Sequence, residues 1–231
     1  MLRKILVFIT RKTGLYKFAV QIDTFIVQKK MQKSFKKFGL EALIQADKAL
    51  RSVNSFVFLN FGTLLGAYRD KGFIPYDCDL DAGILAKNIP ENMPEILQKH
   101  GFKHVKQFYL KETGKIVEDV YNYKGVQIDF FIYFEKDDEL YCYLGRRHET
   151  KTPEKANAED GFPSRLSWGG NAGFSESEFL GHRFFIPANA AQWLEDVYGA
   201  SYMTPIKRWS EFKQKTRIEF HDERLYRRYF E

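Results

Sequence analysis

Three aspartates separated by single residues stand at positions 77, 79 and 81 of the chain. In an extended chain successive side chains point to opposite faces, so Asp77, Asp79 and Asp81 would share one face. Three like charges so close together repel one another, and a divalent cation removes that repulsion. Because hard cations prefer oxygen ligands, the segment predicts a site for Mg²⁺ or Mn²⁺ rather than for zinc.

Two other structures would explain the same acidic segment. A calcium-binding EF-hand loop that starts at Asp77 would need glycine at its sixth position and a bidentate glutamate at its twelfth. The sequence has Ala82 and Asn88 there, which argues against the EF-hand. An acidic surface loop without a metal is the second alternative. Asp77 itself either ligates the metal or hydrogen-bonds the loop in front of the strand.

A fourth carboxylate, Asp129, stands in a run of β-branched and aromatic residues, 125–134, which predicts a buried strand. An ionised aspartate there is costly unless it is paired or bound to a metal, although a hydrogen bond to a helix N-terminus would also satisfy it. Two carboxylates on one strand and Asp129 on its neighbour can hold one or two metals over a phosphoryl group. Because paired metals sit ~4 Å apart, Asp129 must lie within about 10 Å of Asp79 and Asp81.

A glycine-marked turn precedes the aspartates. Residues 58–61 predict a short strand, and residues 62–69 the first turns of a helix. The start of this helix offers the backbone N–H groups of Gly62 and Thr63 to the phosphates of a substrate. Arg69 adds a cation that can bind a phosphate through two hydrogen bonds. The sequence therefore predicts a phosphate site beside the metal site. We expect in-line displacement at phosphorus, with Asp129 accepting the proton of the acceptor hydroxyl.

The remaining chain predicts helices and strands that position these residues. Residues 16–30 and 31–53 are predicted to form two helices, and further strands are expected at 102–110, 116–123 and 139–144. Several strands in hairpin succession with a few helices indicate an α+β fold with a mixed sheet. Residues 145–176 are rich in Pro, Gly and Asn and predict a long loop. There Arg165 would bind a phosphate, and Trp168 would either stack on the substrate or pin the loop to the core.

The composition sets limits on the class of protein. The 231 residues are enough for one domain with a sizeable core. Two cysteines are too few for a disulfide scaffold or a four-cysteine zinc site, so we expect packed thiols in a reducing compartment, the cytoplasm.

Positive charge is concentrated near the N-terminus. Of the net charge of +6, residues 1–40 hold ten Lys and Arg against Asp23 alone. The apolar run at residues 5–9 is too short for a signal peptide or a membrane span. The basic arm suits peripheral contact with an anionic membrane surface, at the inner face of the membrane. A solvated helix with no partner explains it equally well. No known nucleic-acid-binding motif is present, so we expect no nucleic-acid partner.

Two stretches of sequence resemble the LicD family, to which fukutin and fukutin-related protein are related. The first is Gly-Thr-Leu-Leu-Gly-Ala-x-Arg at 62–69, followed by Phe-Ile-Pro-x-Asp-x-Asp-x-Asp at 73–81. The second combines a Gly-containing strand that ends in Pro at 179–187, a helix that ends in Tyr-Gly at 193–199, and Pro205. The resemblance implies a nucleotidyltransferase-like mixed sheet flanked by helices. It divides the chain into a basic helical arm (1–34), a LicD-like catalytic domain (35–210) and a charged, aromatic C-terminal helix packed on the domain (211–231).

The resemblance also implies a reaction. The expected enzyme moves a phospho-alcohol, of the phosphocholine or ribitol-phosphate type, from a CDP-activated alcohol to a hydroxyl of a glycan or lipid-linked glycan, as in lipopolysaccharide or capsule biosynthesis. Two alternatives stay open. One is a nucleotidyltransferase that transfers a nucleotide from a nucleoside triphosphate. The other is a non-catalytic subunit of glycan assembly, and retention of Asp79, Asp81 and Asp129 argues against it.

Overall fold

A computed structural model describes residues 16–146, 162–169, 172–206, 217–219 and 223–230. The helices are α1 (Tyr16–Arg51), α2 (Phe61–Leu65), α3 (Met93–Lys99) and α4 (Ala190–Tyr198), with a π-helical turn at Gly66–Asp70 and a 3₁₀ turn at Ala86–Asn88. The strands are β1 (Phe58–Leu59), β2 (Asp79–Leu85), β3 (Lys103–Leu110), β4 (Ile116–Tyr123), β5 (Val126–Lys136), β6 (Glu139–Arg146), β7 (Phe162–Gly169), β8 (Phe174–Phe179), β9 (His182–Pro187), β10 (Arg217–Glu219) and β11 (Leu225–Tyr229).

In the described part of the chain the strands form one mixed sheet of eleven. Its main path runs β10-β7-β6-β5-β2-β1-β9-β8, and β4, β3 and β11 extend it from β5. β2 runs parallel to β5 and β1 parallel to β9, while the other pairs are antiparallel. A large mixed sheet flanked by helices confirms the predicted α+β class.

The two faces of the central strands carry different residues. Leu80, Ala82, Ile128 and Phe130 alternate with the aspartates of β2 and β5 and are fully buried. α1 packs on these two strands through its C-terminal half, which buries Leu43 and its apolar neighbours. α2 contacts β2 beside the aspartates. Period-two alternation therefore separates a hydrophobic core on one face from the polar cluster on the other.

α1 is a single helix, so the prediction of two helices at 16–30 and 31–53 is wrong. No proline interrupts it. Gly39 lies inside the packed half of the helix, where a Cβ on this glycine would be 3.4 Å from the ring of Phe35. Burial of that half on the sheet outweighs the cost of one glycine. No described helix is long and apolar enough to cross a membrane. Residues 1–15 of the predicted basic arm lie outside the described residues.

Two further expectations fail in the second half of the chain. Residues 162–169 form β7, which pairs antiparallel with β6, so the long-loop prediction for 145–176 is wrong there. The described parts of 211–231 form β10 and β11 rather than a helix, and β11 pairs with β3. Both strands gain partners that are distant in sequence, and such pairing is invisible to local composition.

Candidate active site

Two parallel strands bring the predicted carboxylates together. In the register of β2 and β5, Asp81 lies beside Asp129 and Asp79 beside Gln127. Paired residues on neighbouring strands point to the same face and sit ~4.8 Å apart along the hydrogen-bonding direction. Asp129 is 8% exposed and stands in the middle of a buried strand. The pairing meets the requirement of about 10 Å that the metal hypothesis sets.

The turn before α2 holds Asp81 in place. The backbone N–H of Gly62 donates a hydrogen bond of 2.9 Å to Oδ2 of Asp81, and the hydroxyl oxygen of Thr63 accepts one of 2.9 Å from the backbone N–H of Asp81. A Cβ at Gly62 would lie 3.1 Å from Oδ2 of Asp81 and 3.2 Å from Oδ2 of Asp77. Asp77 and Asp81 therefore converge over this glycine. In this structure the N–H of Gly62 binds the Asp81 carboxylate and the side chain of Thr63 binds the Asp81 backbone, so the Gly62 N–H does not face a phosphate as the sequence predicts.

The carboxylates are unfavourable in their charged form. Burial, with repulsion from Asp79 and Asp129, raises the pKa of Asp81 well above its usual value. Burial and the Asp79 charge raise the pKa of Asp129 to about 7, and burial raises that of Asp79. The pKa of Asp77 rises to about 7 for the same reasons. A cation at this place would relieve all four groups.

Sequence reasoning missed two residues of this face, Lys106 on β3 and Glu118 on β4. Lys106 lowers the pKa of both Asp79 and Asp129. Burial and then the Asp129 charge raise the pKa of Glu118 to about 8. Both residues stand in ordinary alternating strands, and only the register across β3, β4 and β5 brings them to the carboxylates. No local signal in the sequence marks them.

A cavity of about 200 Å³ opens beside Gly62. Arg69 borders it, and its guanidinium donates two hydrogen bonds of 2.8 Å to the carboxylate of Asp70 and one of 3.3 Å to the carbonyl of Tyr202. The structure therefore places Arg69 next to the carboxylates, with Asp70 holding it in one orientation. The other polar and aromatic residues of the wall are Tyr76, Asp77, Tyr198, Ser201, Tyr202 and Thr204.

Arg165 is not brought to this site. It lies on β7, forms an ion pair with Glu139 and stacks 4.0 Å from the ring centroid of Tyr141. Trp168, on the same strand, is 2% exposed and stacks on Trp193 at 4.1 Å. Of the two interpretations of Trp168, packing on the core is the one that the structure supports. The phosphate role predicted for Arg165 depended on a loop around it, where the structure has strand β7.

The donor set of the cluster suits a hard cation, but it is not a finished metal site. Among the described residues, no three His, Cys, Asp or Glu side chains are already arranged around a point for a metal. Asp81 accepts the Gly62 N–H, and both oxygens of Asp129 accept from Nε2 of Gln127, at 2.9 and 3.1 Å. Carboxylate oxygens keep lone pairs for a cation, and Mg²⁺ commonly uses one or two carboxylates with water and substrate phosphates. The residues therefore fit Mg²⁺ or Mn²⁺.

The segment that carries the aspartates matches a known protein family. Residues 54–164 match the family model described as LicD/FKTN/FKRP, nucleotidyltransferase domain. Ribitol-5-phosphate transferase FKTN of Mus musculus is 28% identical over 180 residues, which cover 76% of this chain and 35% of the relative. The same enzyme of Homo sapiens is 26% identical over 181 residues, with the same coverage. Uncharacterized protein T07A5.1 of Caenorhabditis elegans is 38% identical over 76 residues, 31% of this chain and 20% of that protein. The chain thus spans about a third of the length of the FKTN relatives.

Proposed function

Because this chain belongs to the LicD family, we propose that it transfers a phospho-alcohol from a CDP-activated donor to a hydroxyl of a glycan or lipid-linked glycan. The observation that carries the proposal is the side-by-side pairing of Asp81 and Asp129 beside the Gly62 turn. The FKTN relatives carry the name ribitol-5-phosphate transferase, which favours ribitol phosphate over phosphocholine as the transferred group.

The residues of the site have separate tasks in this reaction. Asp79, Asp81 and Asp129 would hold Mg²⁺ or Mn²⁺, which neutralises the charge of the diphosphate and of the departing oxygen when bound. Asp129, which stands on a separate strand from Asp79 and Asp81, takes the proton of the acceptor hydroxyl. Gly62 keeps Asp81 oriented. Arg69 borders the cavity, and a phosphate oxygen there can accept from the guanidinium N–H groups that do not bond Asp70 or Tyr202.

The products of the reaction test the proposal. We expect the purified protein, given CDP-ribitol or CDP-choline with Mg²⁺ and a glycan acceptor, to release CMP. Release of pyrophosphate from a nucleoside triphosphate would instead favour transfer of the nucleotide itself. Release of neither product, with no binding of the donor, would favour the non-catalytic glycan-assembly subunit.

Substitution of the aspartates tests the site. Asp79→Ala and Asp81→Ala should each lower the rate of CMP release by about a hundredfold or more, because the charge of the diphosphate then lacks its counter-ion. The fold should survive, since each change removes a like charge from an acidic cluster. Circular dichroism checks the fold, and Asp138→Ala, exposed between β5 and β6, is the control. Full activity in either variant would count decisively against the site.

The exposed side of α1 supports a proposal about where the protein works. Along this side Ile22, Phe25 and Ile26 are exposed at 45%, 58% and 59%. They are followed at helical spacing by exposed lysines, Lys29, Lys30, Lys33, Lys36 and Lys37. Apolar side chains continued by lysines complement an anionic lipid surface. We infer peripheral contact with the cytoplasmic face of a membrane, where a lipid-linked acceptor would be at hand.

Flotation with lipid vesicles tests this contact. We expect the protein to bind vesicles with about a third phosphatidylglycerol and not vesicles of pure phosphatidylcholine. Binding should weaken about fivefold for each lysine changed to Gln, because each lysine contributes ~1 kcal/mol. Phe25→Ser with Ile26→Ser should also weaken it, whereas Ile116→Ser, exposed on β4, should not. If the Phe25 and Ile26 changes abolish self-association and leave vesicle binding intact, this side of α1 is an interface between copies of the chain.

A further inference from the structure

A row of paired residues crosses four strands of the sheet on the face of the carboxylates. Lys106 of β3 pairs with Val120 of β4, Val120 with Asp129 of β5, and Asp129 with Asp81 of β2. Directly paired residues on neighbouring strands point to the same face. The Cα atoms of Lys106 and Asp129 are therefore two strand spacings apart, about 10 Å. Only Val120 lies between them, and a long lysine side chain can reach across it.

The ammonium group of Lys106 lies within electrostatic range of this cluster. It acts electrostatically on Asp79, Asp129 and Glu118, lowering the pKa of each carboxyl. Its Nζ also lies 5.1 Å from the ring centroid of Phe108 on the same face. Among the described residues it forms no ion pair with any of these carboxylates. A half-buried cation thus stands beside the site, and its side chain donates no hydrogen bond to any residue that the structure describes.

We propose that the ammonium of Lys106 binds a phosphate oxygen of the donor, on the side of the carboxylate pair away from Gly62 and Arg69. The inference rests on the proposed function, in which a nucleoside diphosphate spans the carboxylates. A diphosphate has more oxygens than a metal and one arginine can contact. Lysine serves as a compact point charge for such groups. A purely structural role, in which Lys106 only balances the carboxylates, is the alternative that an experiment must separate.

Binding of Mg²⁺ pyrophosphate to the full chain separates the two roles, because this probe needs neither the base nor the alcohol. Isothermal titration calorimetry at saturating Mg²⁺ should show about tenfold or greater loss of affinity in Lys106→Met, the size expected for a hydrogen bond to a charged group. Lys106→Arg keeps the charge and should stay within about threefold of the unmodified protein. Lys103→Met, exposed on the same strand, is the matched control and should bind as the unmodified protein does.

A second variant covers the case in which Lys106→Met does not fold. Glu118→Gln removes a neighbouring negative charge and leaves Lys106 in place, so affinity for pyrophosphate should be equal or higher. Unchanged affinity in a folded Lys106→Met, equal loss in Lys106→Arg and Lys106→Met, or a weaker Glu118→Gln would each overturn the role of Lys106. If CMP release persists while affinity is independent of Lys106, the inference fails and the proposed function stands. If affinity depends on Lys106 and no CMP is released, the proposed function fails and the phosphate contact stands.

Discussion

Asp129 is a buried carboxylate in the middle of a hydrophobic strand. Phe130 and Phe131 follow it directly, and its partners on the neighbouring strands are Asp81 and Val120. Among the described residues, its side-chain hydrogen bonds come from Gln127, two positions earlier. Such a residue costs stability unless a cation or a proton neutralises it.

The pH dependence of stability follows from this cost. The pKa of Asp129 is about 7 in the folded protein and near its usual value of 3.8 when unfolded. Between these values the folded state holds a proton that the unfolded state has lost, so the free energy of unfolding falls as pH rises through that window. In metal-free buffer, Asp129→Asn should therefore exceed the unmodified protein by roughly 1–3 kcal/mol at pH 8 and gain little at pH 4.

Urea unfolding at pH 4 and pH 8 in the presence of EDTA measures this difference. Asp138→Asn, exposed between β5 and β6, is the matched control and should show no such gain. A gain of the same size at both pH values would assign the effect to packing rather than to charge. A lower free energy of unfolding for Asp129→Asn at pH 8 would show that Asp129 makes stabilising contacts that asparagine cannot replace.

The short strand β1 joins the core to the site. Phe58 pairs with Gly83 of β2 and packs edge-on or tilted against Tyr133, Phe174 and Trp193. A Cβ on Gly83 would lie 2.1 Å from the ring of Phe58, so the glycine makes room for the aromatic ring. Two residues after β1, Phe61 begins α2, whose next residue Gly62 binds Asp81. The packing of Phe58 therefore also positions the Gly62 turn, which orients the Asp81 carboxylate.

Gly83→Ala tests this element. Displacement of the Phe58 ring should destabilise the protein by about 2–3 kcal/mol, as overpacking of a core does. In the Gly83→Ala background, Phe58→Leu should lower the free energy of unfolding by less than it does alone, because the smaller side chain leaves room for the new methyl group. Urea unfolding of the four proteins gives the coupling energy. Gly72→Ala, where the nearest atom lies at 3.8 Å, is the control, and additive costs would contradict the packing argument.

At the scale of the whole molecule, a cation that binds only the folded state should stabilise it. At a hundred times its dissociation constant, Mg²⁺ would add about 2.7 kcal/mol. For a chain of this size, that corresponds to a rise in Tm of roughly 5–10 °C. Differential scanning calorimetry should show the rise at pH 8 and a smaller one at pH 6, where protons compete for the carboxylates. An equal rise in Asp81→Asn, or an equal effect of K⁺ at matched ionic strength, would show that the cation binds elsewhere.

Much of the fold and of the acidic site was predictable because local patterns carry it. The aspartate spacing and the apolar run around Asp129 predicted β2 and β5 and the proximity of their carboxylates. The division of residues 16–51 into two helices, the helix at 211–231 and the loop at 145–176 were wrong where the structure describes them. In each case, packing or strand pairing between distant segments decided the conformation. Arg165 therefore lies on β7, outside the candidate site.

The sequence by itself determined the acidic donor set, its oxygen chemistry and the mixed-sheet class, because these follow from residue types and from periods of two or 3.6 residues. Only the tertiary structure decided that Asp81 faces Asp129, that Gly62 binds Asp81, and that Lys106 and Glu118 join them. The reason is register. A shift of one residue between β4 and β5 would turn Lys106 and Glu118 to the face opposite the carboxylates, and long-range packing fixes that register.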